Sequence, residues 1–120
     1  MAWRKGGAVM WRRYYHVTHR DNVANIVIAG LDPTMSRGKH KVVWLCSVSR
    51  LPWAIAHVSA GHQWPIERLR VLSVHVDPRS LKTWRWRGIY ISDLNLPVYG
   101  LGNAEQILAQ GPIVQPLLER

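Results

Sequence analysis

Three short apolar stretches restrict the fold of this chain more than any other feature: KVVWLCSV (41–48), LRVLSVHVD (69–77) and GIYIS (88–92). Each is too brief for a buried helix, is rich in β-branched residues and is bounded by polar ones, which is how strands read. In LRVLSVHVD, Leu72, Val74 and Val76 recur at every second residue, the alternation of a half-buried strand. Residues 12–17 (RRYYHV) supply a first strand, and ILAQGPIVQPLL (107–118) supplies closing strand material broken by Gly111 and Pro112.

Two helices fit between these stretches. Asp21 is a natural N-cap, Val23, Ile26 and Val27 make an apolar helical face, and Gly30 offers a left-handed stop. LDPTMSRGKHK (31–41) is turn-rich and basic. Ser49 caps a second helix with Pro52 in its first turn, Trp53, Ala56 and Ala60 on one face, and Gly61 as its end. Helices early and strands late imply an α+β fold, not an alternating βαβ one.

A chain of 120 residues supports one core. No repeat or linker divides it, so residues 1–11 read as a flexible basic leader and 12–120 as a single domain. Cys46 is the one cysteine, which excludes an internal disulfide and points to a reducing compartment, the cytoplasm by default. No run approaches about 18 consecutive apolar residues, so no membrane span is expected.

Charge narrows the partners. Sixteen Lys and Arg against seven Asp and Glu give a net charge of +9, a field that draws nucleic acid and dinucleotides and also favours anionic surfaces. The strongest local cluster is LKTWRWRG (81–88). On one strand, Trp84 and Trp86 would share a face and Arg85 and Arg87 the other. Indoles stack on unpaired bases and guanidinium groups hold phosphate, so these four, with Arg37 and Lys39 of the basic turn, are the candidate nucleic-acid contacts. The same alternation would equally let both indoles enter the core.

Catalytic candidates are few. Among the seven carboxylates, Asp21 is a cap, Asp32 and Asp77 precede prolines, Glu67 lies in a polar loop, Asp93 ends a strand and Glu119 is terminal. Glu105, in YGLGNAEQIL, follows two glycines at the start of an apolar strand. There a structural carboxylate has little purpose beyond guarding an edge. His16 and His19 are close enough to chelate, but with no HExxH and no compact Cys/His set a metal site is not expected. Cys46 has no activating neighbour in sequence. Neither GxGxxG nor GxxxxGK[ST] occurs.

Three segments, in order, carry a resemblance. YHVT is a strand with a His, followed by Asn22, Ile26, Gly30 and Leu31 in the spacing NxxxIxxxGL. VVWLCSVSRLPWAIAHV is an aromatic-bearing strand that ends in a small polar residue and leads into an alanine-bearing helix. NAEQILAQGPI places a Glu before an apolar pair and a later Ile. Together they resemble the ADP-ribosyltransferase fold across residues 13–114. They are nearest the DNA-targeting ADP-ribosyltransferase toxins and the NAD-dependent RNA 2′-phosphotransferases.

The resemblance implies a small split β-sheet core with two or three short helices, NAD as co-substrate, and ADP-ribosyl transfer to a DNA or RNA base. It implies that His16 bonds the adenosine-side ribose, that Thr18 supports that ribose or the nicotinamide amide, and that Trp44 walls the nicotinamide pocket. Asn22 and Ser47 complete the cofactor set. Glu105 would bind the 2′-hydroxyl of the nicotinamide ribose and stabilise oxocarbenium character as the glycosidic bond breaks, an effect of about 3–4 kcal/mol for a single well-placed group. Asn103 stands where protein-modifying members carry Glu or Gln, which points away from a protein arginine acceptor. Two alternatives accompany this reading: removal of an RNA 2′-phosphate, with Arg20, Arg37 and Arg50 as phosphate contacts, and non-catalytic binding of nucleic acid or an NAD-derived nucleotide. A toxin role would add an antitoxin or another protein partner.

Overall fold

The strand β1 (Arg12–His19) is the spine of the sheet, and its tyrosines, Val17 and Thr18 suit an extended, half-packed backbone. It pairs along its whole length with β3 (Leu69–Val76), from Arg12 opposite Val76 to His19 opposite Leu69. The computed structural model describes residues 10–36 and 39–110. Arg37, residues 111–120 and all of the expected leader except Met10 and Trp11 therefore lie outside the described residues.

Four more strands complete the sheet: β2 (Val43–Cys46), β4 (Lys82–Trp84), β5 (Trp86–Ser92) and β6 (Gly100–Asn103). Their order is β4-β5-β2-β1-β3-β6, and every pairing is antiparallel. With helices α1 (Val23–Ala29), α2 (Leu51–His62) and α3 (Ala104–Gln110), the domain is α+β as expected.

Both faces of the sheet are covered, so β3 is buried on both sides and not half-buried. Leu69 and Val71 meet Tyr15, Val17, Leu51, Ile55, Ala104 and Ile107 on one face. Leu72, Val74 and Val76 do share one side, and it packs with Tyr14, Leu31, Val43, Leu45 and Leu96 on the other face. Full burial of one such side chain is worth about 1.5–3 kcal/mol. The α2 stripe is Leu51 and Ile55, four residues apart, flanked by Ala54 and Val58. The expected face of Trp53, Ala56 and Ala60 is instead exposed, because the sheet takes the larger aliphatic pair Leu51 and Ile55.

Helix boundaries also differ from expectation. Asp21 sits inside a single 3₁₀ turn, Arg20–Asn22, and donates its backbone N–H to His19 Nδ1 at 3.0 Å. Asn22 then occupies the α1 N-cap without a side-chain cap bond. Val23 and Ile26 pack on the core but Val27 is exposed. Ser49 lies within another 3₁₀ turn, Val48–Arg50, and α2 closes at Gln63 in the left-handed region instead of at Gly61. Gly30 does stop α1, at φ +84, and a Cβ there would collide with the Asn95 side chain.

Glu105 is in the first turn of a helix, α3, whose Ala104 and Ile107 face the core three residues apart; it does not begin a strand. LKTWRWRG is not one strand either. Arg85 adopts φ +60, and β4 turns tightly into β5, with Trp84 opposite Trp86. The indoles meet by folding back, not by alternation.

Candidate functional site

The strands β1 and β2 meet at a single residue pair, Tyr15 opposite Cys46. Beside that pair a side chain links the two strands: His16 Nδ1 lies 2.7 Å from the Trp44 carbonyl oxygen. A carbonyl can only accept, so Nδ1 carries the proton and Nε2 is the acceptor. Burial lowers the His16 pKa and so favours the neutral ring, opposed by the bond to Trp44.

A cleft of about 740 Å³ opens at this place, within the range of small-molecule sites. Its lining includes His16, Thr18 and Asn22 from β1 and the start of α1, Trp44 from β2, and Trp84, Arg85 and Trp86 from the β4–β5 hairpin. Trp53 and His57 reach it from α2. Asn22 Nδ2 donates to Thr18 Oγ1 at 3.2 Å, which orients both polar groups. The Trp44 and Trp84 rings meet edge-on at 5.1 Å, and Trp53 meets Trp86 edge-on at 5.6 Å while stacking on His57 at 4.6 Å. The Arg85 guanidinium lies 5.6 Å over the Trp84 ring. Trp44, Trp53 and Trp86 are 36–50% exposed, so their faces are open to a planar ligand.

Several sequence candidates are thus brought together: His16, Thr18, Asn22, Trp44, Trp84, Arg85 and Trp86. Others are not among the lining residues. Ser47 instead contacts Ser49 Oγ at 3.0 Å and donates its N–H to the Gly88 carbonyl at 2.9 Å. Gly88, at φ +88, permits that approach; a Cβ there would lie 2.6 Å from Arg50 Cγ and 2.8 Å from Ser47 Oγ. Arg87 offers its carbonyl to Arg50 Nε at 2.9 Å, and Lys39 is exposed. Glu105, on α3 beyond the edge strand β6, is exposed and does not line the cleft.

Among the described residues no Asp or Glu lines the cleft; its ionisable groups include His16, His57, His62 and Arg85. Cys46 also lines it, but burial pushes its thiol up to about 12, leaving it protonated and a poor nucleophile. Among the described residues no group of three His, Cys, Asp or Glu is placed to hold a metal ion, and no helix is long and apolar enough to cross a membrane. Sequence reasoning missed Trp53, His57, His62 and Trp64. Their signal was available as Trp53 and His57 at i and i+4, and as His62 close to Trp64, whose rings stack at 4.1 Å. In comparisons with known proteins, no family model, no curated protein and no solved structure matches the chain.

Proposed function

We propose that the cleft binds a dinucleotide of the NAD type, in a small ADP-ribosyltransferase-like domain that works on nucleic acid. The observation that carries this reading is convergence. His16, Thr18 and Asn22 of the first motif and Trp44 of the second line one cleft, although His16 and Trp44 are 28 residues apart. The indoles supply stacking faces for adenine and nicotinamide. Thr18, Asn22 and His16 Nε2 supply ribose partners, and Arg85 supplies charge for the pyrophosphate.

The lining also bears on the chemistry. A base nitrogen or hydroxyl acceptor has to lose a proton, and the lining offers only histidines, not a carboxylate, to take it. A phosphate monoester is already anionic and attacks the ribose C1″ directly, while nicotinamide departs with the electron pair of the glycosidic bond. The carboxylate-free lining therefore favours an RNA 2′-phosphate acceptor over transfer driven by Glu105. Binding without turnover is the second reading, supported by the same lack of a carboxylate.

Quenching of tryptophan fluorescence by NAD tests the proposal. Saturable binding is expected, at least about tenfold weaker in Trp44→Ala and His16→Ala (roughly 1.4 kcal/mol or more each) and unchanged in Glu105→Gln. Incubation with NAD and a 2′-phosphorylated oligonucleotide, read by mass spectrometry, then separates turnover from binding. Absence of any saturable NAD effect would end the reading.

A further inference from the structure

A second polar cluster, Arg13, Ser73, His75 and Tyr99 with the cleft residue Tyr15 at its border, takes no part in the proposed function. Arg13 precedes Tyr15 by two residues on β1 and so shares its face; across the ladder Arg13 opposes His75 and Tyr15 opposes Ser73. Arg13 Nε donates to His75 Nε2 at a long 3.4 Å. The His75 ring stacks on Tyr99 at 3.7 Å, and the Arg13 guanidinium lies 5.7 Å from the centre of that same ring. These contacts fix the guanidinium without neutralising it. Among the described residues no carboxylate pairs with Arg13.

Two atoms in this cluster are buried and lack a hydrogen-bond partner: Arg13 Nη1 and Ser73 Oγ. They belong to neighbouring positions of one face, and Gly100, opposite Ser73 on β6, presents no side chain to it. An unmatched buried donor costs about 1–3 kcal/mol, more when charged. A guanidinium cannot escape that cost by losing its proton. Its planar fork, a serine hydroxyl, and the Tyr15 hydroxyl beside Arg13 form a donor set that a tetrahedral oxyanion satisfies. Arg13 and His75 are only half-buried, so the cluster reaches the surface at the guanidinium while Ser73 lies beneath.

We propose that Arg13, Ser73 and Tyr15, with His75 and Tyr99 holding the guanidinium, form a phosphate-type oxyanion site on the β1–β3 ladder. The ion is inorganic phosphate or the terminal phosphate of a nucleic-acid strand. The site shares Tyr15 with the cleft lining, but Arg13 and Ser73 stand outside it, so the proposal does not rest on the NAD reading.

Titration calorimetry with inorganic phosphate, against chloride at matched ionic strength, tests it. One saturable event is expected in the wild type, at least about tenfold weaker in Arg13→Gln, severalfold weaker in Ser73→Ala, and unchanged in Lys82→Gln, an exposed lysine on β4. Ser73→Ala removes an unmatched hydroxyl, so it folds at least as well as the wild type and keeps the test valid if Arg13→Gln does not fold. A 5′-phosphorylated oligonucleotide is compared with its 5′-hydroxyl twin. Preference for the former assigns the site to strand ends, and equal affinity assigns it to free phosphate; both support an oxyanion site. No saturable phosphate heat, or an equal loss in Lys82→Gln, overturns the proposal.

Discussion

Protonating His16 sets a favourable carbonyl contact against an unfavourable loss of solvent. The bond to Trp44 supports the imidazolium, but desolvation outweighs it and the pKa falls on folding. The unfolded chain then binds the proton more readily than the native one. The stabilisation from neutral His16 is present above the unfolded value of about 6.5 and declines as the pH drops through it toward the lower folded value. His75 adds to the same slope, its pKa lowered by burial and then by Arg13. Melting temperature should therefore fall on acidification from pH 7.5 to 5, and His16→Asn should flatten the slope; an unchanged slope would remove His16 as its source. Gly88 is the second residue on which the site turns. Gly88→Ala forces a Cβ into Arg50 and Ser47 at positive φ, and should cost more than about 1 kcal/mol in urea melts.

The β4–β5 hairpin shows why an element can be located correctly and shaped wrongly. Arg85 sits at φ +60, where a non-glycine residue is strained by about 1–2 kcal/mol, yet its guanidinium covers Trp84 and lines the cleft. Arg85→Gly should thus raise the unfolding free energy by up to about 1 kcal/mol while weakening single-stranded oligonucleotide binding severalfold. Loss of stability without loss of binding would make Arg85 a structural residue. Nothing in WRW marks this turn, because its signal is usually Gly or Asn. Strands with strong alternation, such as β3, and the Gly30 stop were legible because each depends on local pattern alone. Glu105 was misplaced because NAEQIL reads as well in a helix as at a strand start, and burial of Ala104 and Ile107 three residues apart decides for the helix. The α2 phase was illegible for a related reason. Trp53, Ala56 and Ala60 are as apolar as Leu51 and Ile55, and only the sheet beneath selects which stripe is buried. Of the stripe that was not selected, Trp53 reaches the cleft, beside Trp44, Trp84 and Trp86 from the strands.

At the scale of the whole molecule, the +9 charge and the carboxylate-free cleft separate two kinds of ligand. A single strand carries condensed counterions, and each phosphate neutralised by Lys or Arg releases them, giving a slope of about −0.7 in log K against log salt. A strand touching about four cations should therefore bind roughly 50-fold more weakly at 200 mM than at 50 mM salt. NAD, with two phosphates and no condensed atmosphere, should change only a few-fold over the same range. The difference follows from position as well as charge. Stacking of a ring on Trp44, Trp53, Trp84 or Trp86 would not be screened by salt, whereas Lys39, Arg85 and Arg87 stand exposed around or near the hairpin. Removing one such charge, as in Arg87→Gln, should reduce the oligonucleotide slope by about 0.7 and leave NAD affinity as it was. Fluorescence anisotropy of a labelled 12-mer across that salt range measures the slope directly. A slope as shallow as that for NAD would mean that the surface field takes no part in strand binding, and that the cleft is a site for free nucleotides alone.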